Sequence, residues 1–292
     1  MFSKGVKYML LSTFFFALMN LCVKLVSHIP AVEVIFFRSA ISLVMSYAVL
    51  RSKGVKALSS NYGLLFARGA SGVIALMLFF TTLQKIPLAT AATLQYLAPI
   101  FTTILGIFIV KEQVKPWQWL FFAVSFGGIL VIQGVDISAD PFYIWLGVLS
   151  AVFSGVAYGL VRRLNAREHP LVIVLSFPLV GFPVTLVLSL FNWVQPQGWD
   201  WAMLLLVGVL TQLGQYYMTM SYQAEEISKV ANLNYLGIIY ALSFGFIFFG
   251  ETFTLWSYLG MALVLVGVVL NVAYKNRLAK QQVNQIQKRA SI

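Results

Sequence analysis

One cysteine, two histidines and nine carboxylates are all that this 292-residue chain holds of the side chains that most often do covalent or metal chemistry. The single thiol, Cys22, excludes an internal disulfide framework and a cysteine-based zinc cluster. His28 and His169 fall in expected loops, which leaves no buried imidazole relay, and there is no HExxH. No carboxylate sits in the middle of an apolar run. An intramembrane enzyme would need a nucleophile beside a base, or a set of metal ligands. The expectation is therefore no enzyme and no cofactor. Nothing resembles a selectivity filter either. Charge as a whole is scarce, at 10% against about 25% in ordinary soluble domains.

What is abundant is apolar surface. Hydrophobic residues make up 60% of the chain and the mean hydropathy is +0.86. One core cannot hide this much, so lipid must cover it. Runs long enough to cross about 30 Å of hydrocarbon fall near 7–27, 32–50, 62–83, 89–109 and 116–134. Five more fall near 143–162, 170–191, 201–222, 228–249 and 254–274. Lys4 and Lys7 precede the first run as in a signal peptide, but its length of about 20 residues and the lack of a small-residue cleavage site mark it as a retained span. Connections such as DISADP and NAREHP are short, so function must come from the helices themselves.

The net charge of +11 is distributed as in a membrane protein, and nucleic acid is not an expected partner. Sixteen of the 20 Lys and Arg gather on one face, from Lys4 and Lys7 through Arg51, Lys111 and Arg162 to the tail KNRLAKQQVNQIQKR. The positive-inside rule then puts both termini in the cytoplasm, with the basic tail against anionic lipid headgroups.

Residues 88–132 reappear without a gap as residues 227–271, an offset of 139. The shared residues include Tyr96/Tyr235, Glu112/Glu251, Trp117/Trp256 and Gly128/Gly267. Span 1 (11–25) likewise matches span 6 (149–163) at an offset of 138, with Lys24 opposite Arg162. Ten spans divide into five and five, and an odd number turns the second copy upside down. The expected fold is an all-α integral membrane protein, ten transmembrane helices as a 5+5 inverted-topology repeat. The repeats cover residues 1–138 and 139–274, and 275–292 form a cytoplasmic tail.

Ionisable groups inside spans are costly and mark function by default. Lys24 lies in the outer end of span 1, Arg38 in the outer half of span 2 and Arg68 in the inner half of span 3. Snorkelling or bonding to helix carbonyls is the alternative, above all for Lys24. Uncharged polar candidates are Asn20 in span 1, Gln95 and Tyr96 in span 4, and Tyr158 in span 6. Gln212, Gln215 and Tyr216 share one face of span 8, and Asn234 and Tyr235 lie in span 9. Gln95 and Asn234 are repeat mates, each just before the shared Tyr, and could line one substrate site; interhelical glue is the competing reading. Glu112 and Glu251 close spans 4 and 9, where a carboxylate opposes the helix dipole, which points with Lys24 to gating or coupling. The GxxxG of Gly155 and Gly159 reads as close packing inside the bundle, and Pro99, Pro178 and Pro183 as kinks.

The stretch LQKIPLATAATLQYLAPIFTTILGIFIVKEQV, with its Pro inside span 4 and its closing Glu, resembles the EamA-type drug/metabolite transporter superfamily. YQAEEISKVANLNYLGIIYALSFGFIFFGETF resembles the second copy, with Ile238 in place of Pro99. Lys24 and Arg38 also sit where such transporters often carry basic residues. The resemblance implies a central cavity opened to each side in turn in the bacterial inner membrane, and small-molecule substrates such as amino acids, other metabolites or nucleotide-linked compounds. The segment RGASGVIALMLFFTTLQKIPLA is similar to members that exchange S-adenosylmethionine. A carrier that works as a monomer or weak dimer, exporting or exchanging a small carboxylate-bearing metabolite, is the resulting expectation.

Overall fold

The computed structural model describes residues 3–55, 61–109, 115–135, 140–165, 168–224 and 231–290, and every element among them is a helix. In order these are α1 (Lys4–Leu25), α2 (Ala31–Ser52), α3 (Tyr62–Lys85), α4 (Leu88–Gln95), α5 (Ala98–Ile109) and α6 (Pro116–Val135). They continue as α7 (Pro141–Asn165), α8 (Pro170–Ser189), α9 (Asp200–Ala224), a 3₁₀ turn (Ala231–Tyr235), α10 (Leu236–Phe249) and α11 (Leu255–Ala290). In hydrocarbon a helix is the one open-ended segment that satisfies its own backbone. Among the described residues seven segments are long and apolar enough to cross a membrane, and Pro116–Ile132 and Leu233–Phe249 are shorter apolar helices. Helix α9 is longer still, 25 residues, but Thr211, Gln212, Gln215 and its tyrosines dilute its apolar character.

Prolines mark where these helices begin. Pro116, Pro141 and Pro170 are first residues, and Pro30 and Pro87 stand just before α2 and α4. Proline suits the first turn because no N–H is needed there. All seven tryptophans are exposed, within five residues of a helix end, which suits the boundary between lipid and water.

The expected fourth span is two helices. Pro99 has no N–H to offer the Gln95 carbonyl, and the N–H groups of Tyr96 and Leu97 bond instead three residues back, to Thr93 and Leu94 (3.1 Å each). The ninth span is irregular at the matching place, where the 3₁₀ turn ends at Tyr235 and α10 begins. Ile238 stands there in place of Pro99, so proline alone does not cause the irregularity. Pro178 and Pro183, by contrast, leave α8 unbroken.

Helix α1 packs on α9 and α3 on α7; α2 packs on α8, α4 on α10 and α6 on α11. Small residues set the closest approaches. A Cβ on Gly128 would stand 2.6 Å from the Gly260 carbonyl oxygen, and one on Gly267 would stand 2.5 Å from that of Phe121. Exchanging the halves by the 139-residue offset turns the first contact into the second. The α6–α11 seam also holds buried bonds from Gln118 Nε2 to Asn271 Oδ1 (3.0 Å) and from Ser125 Oγ to the Val264 carbonyl (3.3 Å). Gly155 meets α5, where a Cβ would stand 2.7 Å from Phe101 Cβ, so this glycine serves packing inside the bundle.

Gly128→Ala forces backbone apart at the seam and should cost about 1–3 kcal/mol. Its melting temperature in detergent should fall, while that of Gly127→Ala, where open space surrounds the added carbon, should stay at the wild-type value.

Candidate functional site

Arg38 on α2 and Arg68 on α3 each lie about two turns in from the N-terminus of their helix, and their side chains converge. Both guanidinium carbons lie over the ring of Phe177 on α8, at 4.8 Å and 5.8 Å from its centroid. Arg38 also lies 6.0 Å from the Phe80 ring. Its Nε donates to Thr211 Oγ1 on α9 at 3.1 Å, and that hydroxyl donates onward to the Val207 carbonyl at 2.7 Å. One edge of the Arg38 guanidinium is thereby held. Arg38 Nη1 and Arg68 Nε and Nη1 are buried without a hydrogen-bond partner among the described residues. Among the described residues neither arginine forms an ion pair, since the two pairs found involve Lys24 and His28.

Tyr158 on α7 joins this group to a second one. It lies within electrostatic reach of both arginines and of Tyr96. Tyr96 and Tyr235, the repeat mates at the two helix breaks, meet with ring centroids 5.2 Å apart. The Tyr96 hydroxyl donates to the Asn234 carbonyl at 2.6 Å, so irregular backbone at mid-span is met by a side chain from the other break. Five residues that stand out in the sequence, Arg38, Arg68, Tyr96, Tyr158 and Tyr235, therefore fall in one neighbourhood.

Other candidates are engaged elsewhere. Gln95 Nε2 donates to Ser150 Oγ (2.8 Å), and its Oε1 accepts from Ser154 Oγ (3.2 Å). Ser150 in turn donates to the Ala75 carbonyl (2.7 Å). This amide thus ties α4 to α7 and α3, as interhelical glue does. Gln212 Nε2 donates to Ser46 Oγ on α2 (3.3 Å), so that residue of the α9 face does point inward. Gln215 is half-buried, and Tyr216 is exposed with its ring 5.4 Å from that of Tyr217. Asn20 Oδ1 is buried and unpartnered on α1, one turn before Lys24.

Lys24 does not snorkel. Its Nζ pairs with Glu251 Oε1 at 2.5 Å and donates to the Ile86 carbonyl at 2.7 Å, over the ring of Phe249. Glu251 has a different setting from the one its position suggested. Gly250, with φ 61°, ends α10 in the left-handed conformation, which carries Glu251 past the helix end. Its two carboxylate oxygens then accept the Leu88 N–H at 3.0 and 2.8 Å. The carboxylate caps the N-terminus of α4, where negative charge is favoured. Nearby, Glu33 Oε2 accepts the Val194 N–H (3.0 Å), and His28 Nε2 lies 3.0 Å from Asp200 Oδ2. These contacts stitch one end of the helix bundle together. Glu112 lies outside the described residues.

Phe177 and Thr211 were missed from sequence. Nothing separates Phe177 from the other 23 phenylalanines. Thr211 had a signal, because it lies four residues before Gln215 and so on the same helical face.

Replacing Glu251 with Gln removes the charge partner of Lys24 and the anionic cap together. Cys22 is the only thiol and is buried on α1 two residues before Lys24. Its labelling by a membrane-permeant maleimide should quicken roughly tenfold in Glu251→Gln, as loss of about 1.4 kcal/mol of closure would give. Unchanged labelling would separate the cluster from any opening of that end.

Known proteins agree with this architecture. The EamA-like transporter family matches twice, over residues 3–134 and 141–273. The pseudopaline exporter CntI of Pseudomonas aeruginosa is 33% identical over 271 residues, spanning 92% of this chain and 93% of that protein. Human solute carrier family 35 member G1 is 27% identical, over 93% and 79% of the two chains. A riboflavin transporter of Vibrio cholerae is 24% identical over 96% and 97%. A solved crystal structure superposes with a TM-score of 0.64 at 16% identity, covering 93% of this chain and 97% of the other. Helices built to cross a membrane, polar groups turned inward and a family match along nearly the whole length lead to one conclusion: this chain is an integral membrane protein of the EamA-like transporter family.

Proposed function

We propose that the protein is a secondary transporter that moves a small, polar, carboxylate-bearing metabolite across the bacterial inner membrane by alternating access, as an exporter or exchanger. The observation that carries this reading is the convergence of Arg38 and Arg68 on Phe177 without an acidic partner among the described residues. Guanidiniums with open N–H groups suit a carboxylate, and Tyr158, Tyr96 and Tyr235 supply polar and aromatic surface beside them. Asn20, Gln212, Gln215 and Tyr216 extend the binding surface, while Gln95 and Asn234 hold the two helix breaks in place around it. A relative named as an exporter that aligns over 93% of its own length supports the class.

In this reading the halves 1–138 and 139–274 are inverted repeats, and 275–292 is a basic cytoplasmic tail. Support comes from the packing when the halves are exchanged: α1 on α9 becomes α3 on α7, α2 on α9 becomes α3 on α8, and α2 on α8 and α6 on α11 map onto themselves. The clustering of 16 of 20 basic residues supports cytoplasmic termini. Lys24 and Glu251 then form the outer gate, and Glu112, the repeat mate of Glu251, serves the opposite face. The carrier works as a monomer or weak dimer.

A second reading, exchange of S-adenosylmethionine or another nucleotide-type metabolite, is favoured by the paired rings of Tyr96 and Tyr235, which offer stacking faces to a base. In proteoliposomes, saturable and temperature-dependent counterflow from a panel of labelled amino acids, dicarboxylates and S-adenosylmethionine should separate the two. Arg68→Ala should abolish that counterflow, a loss of at least about 100-fold if a charge-assisted bond worth about 3 kcal/mol is removed, while the protein still accumulates folded in membranes. Undiminished transport by Arg68→Ala would sink the assignment.

A further inference from the structure

Two positive charges brought to one aromatic ring is an uncommon arrangement, and it bears on the charge of the substrate. Cation–π attraction holds each guanidinium to Phe177, yet the ring carries no net charge and neutralises neither. Every one of the nine carboxylates belongs to a span end or a connection, and among the described residues none pairs with Arg38 or Arg68. Glu33, the acid nearest to Arg38 in sequence, accepts the Val194 N–H instead. Buried charges without partners are costly to a fold, and the two guanidiniums repel one another. Thr211 holds Arg38 Nε, leaving its Nη1 open alongside Nε and Nη1 of Arg68. The open donors thus belong to both arginines, and both surround the same ring.

Resting on the transporter reading above, we propose that Arg38 and Arg68 act together as a clamp for a dianion: the substrate presents two negative charges, as two carboxylates or as one phosphoryl group. A monocarboxylate leaves one guanidinium uncompensated and is discriminated against. Phe177 sets the separation of the two cations and shields them from one another. Thr211 is a positioning residue, fixing which edge of Arg38 faces the ligand.

The test uses the purified full-length protein in detergent, at mildly alkaline pH where phosphate is largely a dianion. Melting temperature is followed against succinate, malate, inorganic phosphate and acetate at matched ionic strength. Dianions should raise it saturably, and acetate should not at the same concentrations. A response to phosphate alone, or to the carboxylates alone, says which source of charge the clamp takes. Arg68→Gln should shift the dianion midpoint upward by at least about tenfold. The ligand-free Arg68→Gln protein should melt at or above the wild-type temperature, because an uncompensated charge has gone; a purely structural arginine would do the opposite. Acetate acting as well as the dianions would overturn the proposal. So would a wild-type protein indifferent to all four anions, or a destabilised Arg68→Gln that keeps the dianion response. Counterflow of a zwitterion that remains sensitive to Arg68→Ala, without any dianion preference, would remove the clamp and leave the transporter reading standing. Strong dianion binding with no counterflow of any anion would remove the transporter reading instead.

Discussion

Hydrocarbon accepts no hydrogen bonds, and this constraint arranges the rest of the structure. Backbone is closed into helices, and wherever a helix is interrupted the loosened groups are met by protein. The interruptions at Tyr96–Leu97 and at Ala231–Tyr235 lie against one another, with the Tyr96 hydroxyl on the Asn234 carbonyl at 2.6 Å. Side chains obey the same rule: Gln95 is taken up by Ser150 and Ser154, Gln212 by Ser46, and Gln118 by Asn271. The arginine nitrogens beside Phe177 are exceptions, as are Asn20 Oδ1, Glu33 Oε1, Ser39 Oγ and Thr90 Oγ1 among the described residues.

The Lys24–Glu251 cluster uses the same physics differently. One carboxylate serves a cation on α1 and the first N–H of α4, and it follows the left-handed Gly250 at the end of α10. Three segments far apart in sequence thus depend on one side chain. Partly buried pairs of this kind are sensitive to loss of either member, whereas exposed ones such as His28–Asp200 contribute little. Separating the helices at this end means giving up the pair and the helix cap together.

Parts of the site were legible in sequence because their cost is local. An arginine in an apolar run is expensive wherever the run goes, so Arg38 and Arg68 stood out before any contact was known. The shared Tyr of the two repeats stood out because composition does not explain it. Gln95 was visible as polar, but its role was not, since Ser150 and Ser154 lie more than 50 residues away. Phe177 was hidden among residues identical to it. Glu251 was read from its nearest helix, α10, whereas its carboxylate serves α4, 163 residues distant. Local patterning predicts that a charge sits at a helix end and is silent about which helix receives it.

By itself the amino-acid sequence determined the all-helical membrane character, the places where five of the helices begin, and the equivalence of residues 139 positions apart. These follow from chain-local quantities: the length of an apolar run, the missing N–H of proline, and the identity of residues at a constant offset. Only the tertiary structure decided that two arginines approach one phenylalanine, that Tyr96 meets Tyr235, and that Glu251 caps a helix in the other half. Those outcomes depend on distances between segments, and such distances arise only when the helices pack and each polar group must find its partner inside the bundle.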